Sequence, residues 1–541
     1  MKRAILWLVV ALGLGACGGD SSRGGEPGGT VVIAELGGVG TLLPLVEQHQ
    51  LDAEVNDLLY LGLSSGRWED GELRFVADDL SLADRWEIGA ESTTVTYSLR
   101  PRAVWSDGAP LTADDVVFSY ELARDTLVGS TYSFLWANLD SVVARDPRTV
   151  SFFFKHPNPD LLFASGGLNI IPRHIYADAD RARLRSHPRV VNPENGHLVV
   201  SGPFTVGSWD PGQQITLVPN PRAFTAAPAV ARAVFRVIPE EATRMIEFAS
   251  GNVHVTWPIP FERAPAIEAE PRLRIERVAA RYYDFVAWNP ATVPAFADRD
   301  VRRALSLAID RRAILDAVGL GDYGTVAGGP YPPIFRDLRD PEVRPDPYAP
   351  DSARAILRRR GFADTNGDGI LEKDGRPFRF TLTTNAGNAR RASVLELLQA
   401  QLGRIGVDVR LGVLEPNTFW DAFFGRRYEA AVAGWSVSLS PDLTPFFYPG
   451  QSLNVTGYDN PRVTAWIDSA MVQPSAEAAA RYWRRVARAV VEDRPYAWLY
   501  FYDGLVGVSE RVHNTRINTY GVYQNLHEWR LEPASGAATS P

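Results

Sequence analysis

Residues 80–121 read LSLADRWEIGAESTTVTYSLRPRAVWSDGAPLTADDVVFSYE and contain the most informative pattern in the chain. Within this stretch, residues 93–100 alternate apolar and polar side chains, which predicts a strand with one buried face. A turn signal follows at residues 106–108, and Thr112 then stands where a helix N-cap is expected. After it, apolar residues recur at helical spacing, at Val116, Val117, Tyr120 and Ala123.

A second pattern lies near residue 400. Residues 378–384 alternate like a strand, and residues 407–414 do so again. Between them, leucines and an isoleucine recur at helical spacing, at Leu395, Leu398, Leu402 and Ile405. This order predicts a strand, helix, strand unit with parallel strands and a right-handed crossover. Early hairpins together with this late unit favour an α/β protein of two lobes.

A helix is also predicted from about Asp300, where apolar residues form one stripe. The opposite side of this region carries four arginines, Arg302, Arg303, Arg311 and Arg312. We interpret these four side chains as a solvated surface rather than an anion site.

The N-terminus has the pattern of an export signal. Lys2 and Arg3 precede an apolar stretch, residues 5–16, which is shorter than the roughly 20 residues of a membrane-spanning helix. The chain's one cysteine, Cys17, follows directly. We therefore expect residues 1–16 to be a lipoprotein signal peptide, Cys17 to be lipidated, and the Gly/Ser-rich residues 17–29 to be a flexible tether. An ordinary secretory signal ending near a cysteine is the alternative.

Composition excludes some classes of protein. The chain of 541 residues has a formal net charge of −8, which disfavours nucleic acid or anionic lipid as a partner. Its size implies more than one hydrophobic core, and a lone cysteine allows no intramolecular disulfide. The sequence contains neither H-E-x-x-H nor G-x-S-x-G, so it offers no motif for these kinds of catalysis.

Further segments follow residues 80–121 in a fixed order. They are SGPFTVGSWDPGQQITLVPNP (201–221), FRVIPEEATRMIEFASGNVHV (235–255), DVRRALSLAIDRRAIL (300–315), QLGRIGVDV (401–409) and YEAAVAGW (428–435). Together these segments resemble the family 5 extracellular solute-binding proteins, which are the oligopeptide-, dipeptide- and nickel-binding receptors of ABC importers. The resemblance implies a periplasmic-binding-protein-like α/β fold with two lobes, hinge strands and an extra subdomain on lobe I.

The resemblance also implies boundaries. Lobe I would comprise residues 30–59, 196–285 and a return at 506–532, with residues 60–195 as its extension and residues 286–505 as lobe II. Residues 533–541 are expected to be a disordered tail.

Candidate ligand-binding residues follow from the same resemblance. Residues 281–290 stand where the family crosses between lobes, so Tyr283 and Asn289 are candidates for the cleft, although both could be structural. Peptide receptors of the family hold the ligand's ammonium group with an Asp three residues after a Gly-Trp tryptophan. Here that tryptophan is Trp435 and the third residue is Ser438, so an uncharged solute or a peptide held by its backbone is expected.

Two charged positions bear on this expectation. Asp442 is either a shifted substitute for the missing acid or a turn cap. Dipeptide receptors also carry an Arg for the ligand's carboxylate just after the strand that here ends near Asn385. No Arg stands there, because Arg390 and Arg391 fall inside the predicted helix.

One loop resembles the start of an EF-hand. Asp364, Asn366 and Asp368 occupy the first, third and fifth positions of a calcium loop, but the twelfth position is Gly375 instead of Glu. Glu372 at the ninth position could reach the ion. A tight Asx/Gly turn explains the same residues without metal, and we expect no bound metal and no cofactor.

The sequence thus predicts a non-enzymatic receptor, anchored by lipid on the periplasmic or outer side of a membrane. It would capture a small organic solute or peptide between its lobes and deliver it to ABC permease subunits. We expect it to be a monomer and not to bind nucleic acid. The alternatives are a secreted, lipid-anchored hydrolase and a sensory or structural lipoprotein on the same fold.

Overall fold

The structure is a computed structural model that describes residues 28–130, 133–194 and 196–533. The expected signal peptide, Cys17, all but the end of the tether, and the tail from residue 534 lie outside the described residues. Within the described ranges, every helix is too short or too polar to cross a bilayer.

Local sequence signals set the positions of the helices and strands. The helices are α1 Gln50–Leu59, α2 Ala113–Arg124, α3 Leu161–Gly166, α4 Arg173–Tyr176, α5 Pro188–Val191, α6 Glu241–Ala249, α7 Ala264–Glu268, α8 Arg299–Leu307, α9 Arg311–Ala317, α10 Pro350–Arg359, α11 Ala389–Gly403, α12 Pro416–Phe424, α13 Thr444–Phe447, α14 Pro461–Met471 and α15 Ala476–Asp493. The strands are β1 Thr30–Glu35, β2 Ser65–Glu69, β3 Glu72–Val76, β4 Ala83–Ile88, β5 Thr94–Leu99, β6 Leu139–Asp146, β7 Thr149–Phe154, β8 Phe204–Asp210, β9 Gln214–Pro219, β10 Arg232–Val237, β11 Val255–Thr256, β12 Leu273–Trp288, β13 Gly324–Val326, β14 Glu372–Lys373, β15 Arg376–Pro377, β16 Arg379–Asn385, β17 Asp408–Leu414, β18 Ala430–Ser436, β19 Tyr496–Ser509, β20 Val512–His513 and β21 Arg530–Leu531.

The stretch at residues 80–121 folds as its pattern predicts. The alternating residues form β5, which lies inside a four-stranded antiparallel sheet of order β4-β5-β7-β6. Helix α2 begins after Thr112, whose backbone N–H donates to the Asp115 carboxylate at 2.8 Å. That bond satisfies a polar group at the start of the helix and fixes where the helix begins.

The predicted strand, helix, strand unit is also confirmed. Strands β16 and β17 are parallel neighbours from Arg379 opposite Asp408 to Asn385 opposite Leu414, and α11 connects them. Their buried side chains, together with Leu395 and Leu398 of α11, form one apolar cluster.

One sheet runs through the whole molecule. It has eleven strands, ordered β17-β16-β18-β12-β19-β11-β1-β10-β9-β8, with β13 also paired to β19. The antiparallel pair β12 and β19 is its centre, running from Leu273 opposite Ser509 to Ala287 opposite Tyr496. The register of this pair shifts between Asp284 and Phe285 and, more widely, between Val278 and Tyr282. The wider break is an irregular point in these two long strands.

The apolar core divides near this irregular point. A large cluster draws on residues from Val31 to Val278 and again from Val506 to Trp529. Two other clusters lie between Ala280 and Phe501. The molecule therefore has two halves with separate interiors. We call residues up to about 278, together with those from about 506, the first half, and the residues between them the second half. Strands β12 and β19 run through both halves.

The arginines near α8 and α9 correct one expectation from the sequence. Arg303 and Arg312 are exposed, as a solvated surface requires, but Arg311 is 6% exposed. Arg311 donates to the Trp498 carbonyl oxygen at 2.6 Å and to Ser306 Oγ at 2.7 Å. Arg302 donates to the carbonyl oxygen of Arg494 at 2.9 Å. Arg311 thus joins α9 to β19, and Arg302 joins α8 to the segment between α15 and β19, by hydrogen bonds to backbone carbonyl groups.

Candidate functional site

The two halves of the molecule touch beside β12 and β19, the paired strands that run through both halves. Ser440, in the loop after β18, donates its hydroxyl hydrogen to Asp160 Oδ2 at 2.5 Å across the two halves. Tyr323 of the second half donates to Glu268 Oε1 of the first half at 2.9 Å. Arg277 also donates to the Asp322 carbonyl oxygen at 2.7 Å. These three hydrogen bonds thus join the two halves.

Helix α1 of the first half carries two acids with altered pKa values. Glu54 is half-buried and Asp57 is exposed, yet burial among surrounding protein raises the pKa of Glu54 to about 7 and that of Asp57 to about 6. Asn169 donates to Asp57 Oδ1 at 2.7 Å and offsets part of this effect. The charge of Arg281, which lies close to the register break of β12, also acts on Glu54. We therefore take Glu54 and Asp57 as candidates for the first-half side of a cleft between the halves.

Asp160, just before α3, adds a third acid to the same wall. Burial raises its pKa to about 6, the Ser440 hydrogen bond lowers it, and the charge of Asp442 raises it further. Burial and then the charges of Asp442 and Asp160 raise the pKa of Tyr331. Acids from both halves therefore act on one another across the cleft.

The second-half wall is the loop after β18. Ser436, at the end of β18, and Ser438, in the loop, are exposed, and the Ser440 N–H donates to Ser438 Oγ at 3.0 Å. The Asp442 carboxylate accepts the Thr444 N–H at 2.7 Å, which is the geometry of a turn cap. Ser438 and Asp442 therefore lie in the loop that meets Asp160.

The other three candidates from the sequence are packed or tied to backbone. Tyr283 is 0% exposed and Trp435 is 9% exposed, and both belong to an apolar cluster of the second half. The Asn289 amide donates to the carbonyl oxygens of Arg426 and Tyr428 at 3.0 and 2.6 Å. These contacts support a structural role for the three side chains.

The sequence reasoning missed Glu54, Asp57 and Asp160. Glu54 and Asp57 stand on a short helix whose polar face would ordinarily be solvated, and Asp160 resembles a helix cap. Their position in the cleft depends on contacts with residues far along the chain, of which Ser440 is 280 positions away. No local pattern carried that information.

A second charged group lies in the second half, at Asp284 of β12. This carboxylate is fully buried and accepts hydrogen bonds from Arg390 at 3.0 Å, Arg391 at 3.1 Å and the Tyr500 hydroxyl at 2.9 Å. Burial raises its pKa, but the charges of the two arginines outweigh burial and leave the pKa below its ordinary value. The network leaves no space beside it, since a Cβ on Gly434 would lie 2.1 Å from Asp284 Oδ1.

This network explains what Arg390 and Arg391 do. Both guanidiniums bind Asp284, and Arg390 also stacks over the Tyr502 ring, 4.1 Å from its centroid. The charges of the two arginines are therefore balanced mainly by partners within the protein.

The EF-hand-like loop brings three carboxyl groups together. One oxygen from each of Asp364, Asp368 and Glu372 lies within 4.8 Å of the others. Asp364 accepts the Gly367 and Gly369 N–H groups at 2.7 and 3.0 Å, and Asn366 accepts the Asp368 N–H at 2.8 Å. These bonds form the tight turn that explains the sequence without a metal.

The fold and cleft define a class, the two-lobed binding proteins that close around a small molecule. The family model for bacterial extracellular solute-binding proteins, family 5, middle region, matches residues 80–457, and the chain belongs to this family. The protein is therefore a solute receptor of an ABC importer, and the predicted α/β two-lobed fold is confirmed. The hydrolase and the sensory or structural alternatives gain no support.

Individual relatives agree with this assignment. The chain is 28% identical to "Oligopeptide-binding protein AppA" of Bacillus subtilis over 550 residues, covering 97% of each protein. It is 24% identical to "Probable D,D-dipeptide-binding periplasmic protein DdpA" of Escherichia coli over 513 residues, covering 92% of this chain and 94% of DdpA. The solved structure of Bacillus subtilis AppA in complex with a nonapeptide has a TM-score of 0.78 and 26% identity, and the match covers 94% of this chain and 100% of the AppA chain.

Proposed function

We propose that the protein is a lipid-anchored receptor that captures a peptide-like or other small organic solute bearing an ammonium group. Asp160, which reaches the loop of Ser438 and Ser440 from the opposite half, is the observation that carries this proposal. Ser438 stands where related peptide receptors have an acid, and Asp160 supplies a carboxylate to the same loop. This differs from the uncharged solute expected from the sequence.

The charge of the cleft supports an ammonium-bearing ligand. Within the residues that the structure describes, the side-chain partners of Glu54, Asp57 and Asp160 are the neutral Gln50, Asn169 and Ser440, and Arg281 acts on Glu54 only through its charge. A buried ammonium group requires a charged or strongly hydrogen-bonding partner. The names of AppA and DdpA, which refer to oligopeptides and to D,D-dipeptides, agree with a peptide-like ligand.

Closure would couple binding to transport. A ligand that contacts both halves favours the closed form, which the permease subunits would then recognise. We propose that the hinge lies at the register break of β12, between Val278 and Tyr282. The boundaries 30–59, 60–195, 196–285, 286–505 and 506–532 remain part of this proposal.

Isothermal titration with short peptides tests the ligand. We expect wild-type protein to prefer peptides with a free amino terminus over the same peptides acetylated, and Asp160→Asn to lose that preference. Ser438→Ala is the matched control on the opposite wall and should retain it. If acetylated peptides bind equally well to the wild type, the ammonium proposal is wrong.

Fractionation tests the anchor. We propose that Cys17 carries the lipid, because the described chain has no membrane-spanning helix. Cys17→Ser should therefore move the protein from the membrane fraction to the soluble fraction. A variant that stays bound as firmly as the wild type would contradict lipidation at Cys17 and leave the ligand proposal unaffected.

A further inference from the structure

A basic groove of about 580 Å³ lies on the second half, between α14, α15 and residues 339–341. Five arginines line it, Arg339, Arg462, Arg484, Arg485 and Arg488. None of these side chains belongs to the cleft described above. All five are exposed, so their guanidiniums are available to a ligand.

The positive charge of this groove is not balanced locally. Its lining contains two carboxylates, Asp340 and Glu492, against the five arginines. Arg488 is paired with Asp340 at 2.6 Å and with Glu342 at 3.0 Å. In the described ranges, Arg339, Arg462 and Arg485 have no carboxylate at salt-bridge distance. This concentration of cations contrasts with the chain's formal net charge of −8.

The arrangement of the arginines also costs helix stability. On α15, Arg488 lies four residues after Arg484 and three after Arg485. Like charges at these spacings destabilise a helix. A face that served only solvation would be more stable with acids and bases alternating along it, so the stripe fits an anion-binding role better.

Chemistry narrows the ligand. Guanidinium groups are planar forks that bind two oxygens of a phosphate at once, and several of them converge here from three separate segments. The Arg462 guanidinium lies over the Trp466 ring, 5.9 Å from its centroid, and Trp466 lines the same groove. We propose that this groove binds phosphate groups, either on a free phosphate compound or on the headgroup of a phospholipid.

Calorimetric titration of the full-length protein tests the proposal with three probes: inorganic pyrophosphate, glycerol 3-phosphate, and dihexanoyl phosphatidic acid below its critical micelle concentration. The test variant is Arg339→Gln/Arg462→Gln/Arg485→Gln. The matched control is Arg299→Gln/Arg303→Gln/Arg312→Gln, which removes three exposed arginines from the same half of the molecule.

We expect the groove variant to bind pyrophosphate at least about tenfold more weakly, because three charge-assisted contacts are lost. The control should change the affinity less than about twofold, since distant exposed charges are screened. If the triple variant is unstable, Arg462→Gln alone should still weaken binding by about threefold. Tighter binding of phosphatidic acid than of glycerol 3-phosphate would identify a lipid headgroup, and equal binding would identify a free phosphate compound.

Two results would overturn the proposal. One is that the wild type binds none of the three probes at millimolar concentration, so that the arginines are solvated surface. The other is an equal loss of affinity in the control variant, which would assign the effect to overall charge. Neither result bears on solute capture in the cleft, because no probe is a transported solute and no variant alters a cleft residue.

Discussion

Both halves of the molecule contain carboxyl groups buried by the protein, but their pKa values are shifted from the ordinary values in opposite directions. In the second half, burial would raise the pKa of Asp284, but the charges of Arg390 and Arg391 bring it below its ordinary value. In the first half, burial raises the pKa of Glu35 to about 8, and a hydrogen bond from the Tyr523 hydroxyl only partly offsets it. Glu54, Asp57 and Asp160 follow the same direction as Glu35.

This comparison shows that burial alone does not decide what an acid does in a protein. Asp284 is paired with two charged arginines of the same protein, so we assign it a structural role. The first-half acids have neutral hydrogen-bond partners, and we propose that three of them, Glu54, Asp57 and Asp160, line the cleft. A cationic ligand would pair with these acids, so we relate them to ligand binding.

Removing the paired acid should have the largest effect. Asp284→Asn leaves Arg390 and Arg391 buried without their counter-charge, so we expect the free energy of unfolding to fall by roughly 3–5 kcal/mol. Urea unfolding at pH 7, followed by circular dichroism, measures this. The exposed Asp421→Asn in the same half should change it by less than about 0.5 kcal/mol. Equal effects of the two substitutions would remove the distinction drawn here.

Neutralising Glu35, an acid with no arginine at salt-bridge distance in the described part of the chain, should raise the free energy of unfolding, whereas Asp284→Asn lowers it. Glu35 has an ordinary pKa of 4.5 and a folded pKa of about 8, so between these pH values the folded protein holds a proton that the unfolded chain has lost. Its contribution therefore favours the folded state less as pH rises from 4.5 to 8. Glu35→Gln keeps the neutral form and should be more stable than the wild type at pH 8 by roughly 2–4 kcal/mol, at about 1.4 kcal/mol per unit of pKa difference.

Thermal or urea unfolding at several pH values checks this prediction. Near pH 4.5 the variant and the wild type should have similar stability, because Glu35 is then protonated in the folded protein and half-protonated in the unfolded chain. The exposed Glu87→Gln serves as the control and should show no pH-dependent difference. A Glu35→Gln protein that is less stable than the wild type at pH 8 would show that Glu35 is ionised and paired.

The contact between the halves should have a smaller effect. Ser440→Ala removes the hydrogen bond to Asp160 and should shift the equilibrium toward the open form by about 1–2 kcal/mol without altering the core. Small-angle scattering of the ligand-free protein should then show a larger radius of gyration. Ser436→Ala, at the exposed end of β18, should leave the radius unchanged. An unchanged radius in Ser440→Ala would mean that other contacts hold the halves together.

The smallest effect is expected at the surface acids of the EF-hand-like loop. Asp364 accepts two backbone N–H groups and needs no cation to complete its hydrogen bonds. A chelator should therefore change the melting temperature by less than about 1 °C, because a ligand that is not bound contributes no stability. A rise of several degrees with calcium would make Asp364, Asn366 and Asp368 metal ligands.

The sequence predicted the parts of the fold that depend on local periodicity. Strand β5 and helix α2 follow from alternation, helical spacing and the cap at Thr112, and β16, α11 and β17 follow in the same way. It failed for Arg311, because the carbonyl group of Trp498 that binds this arginine is 187 positions away. Single-residue patterns do not report such partners.

The cleft was predicted less well for the same reason. The family resemblance directed attention to Trp435 and Tyr283, whose side chains pack into an apolar cluster of the second half. Asp160 gave no signal, since its role depends on a loop that lies in the other half of the chain. The proposed replacement of the missing acid by Asp160 rests on a contact between residues 280 positions apart, which no local sequence pattern reports.

The continuous strands β12 and β19 also constrain the order in which the chain can fold. The core of the first half contains residues from Val31 to Val278 and from Val506 to Trp529. It is therefore incomplete until the last part of the polypeptide has emerged. The second half, whose clusters lie between Ala280 and Phe501, can assemble earlier and bring the two strands together. During export, the segment synthesised first must accordingly wait for the segment synthesised last.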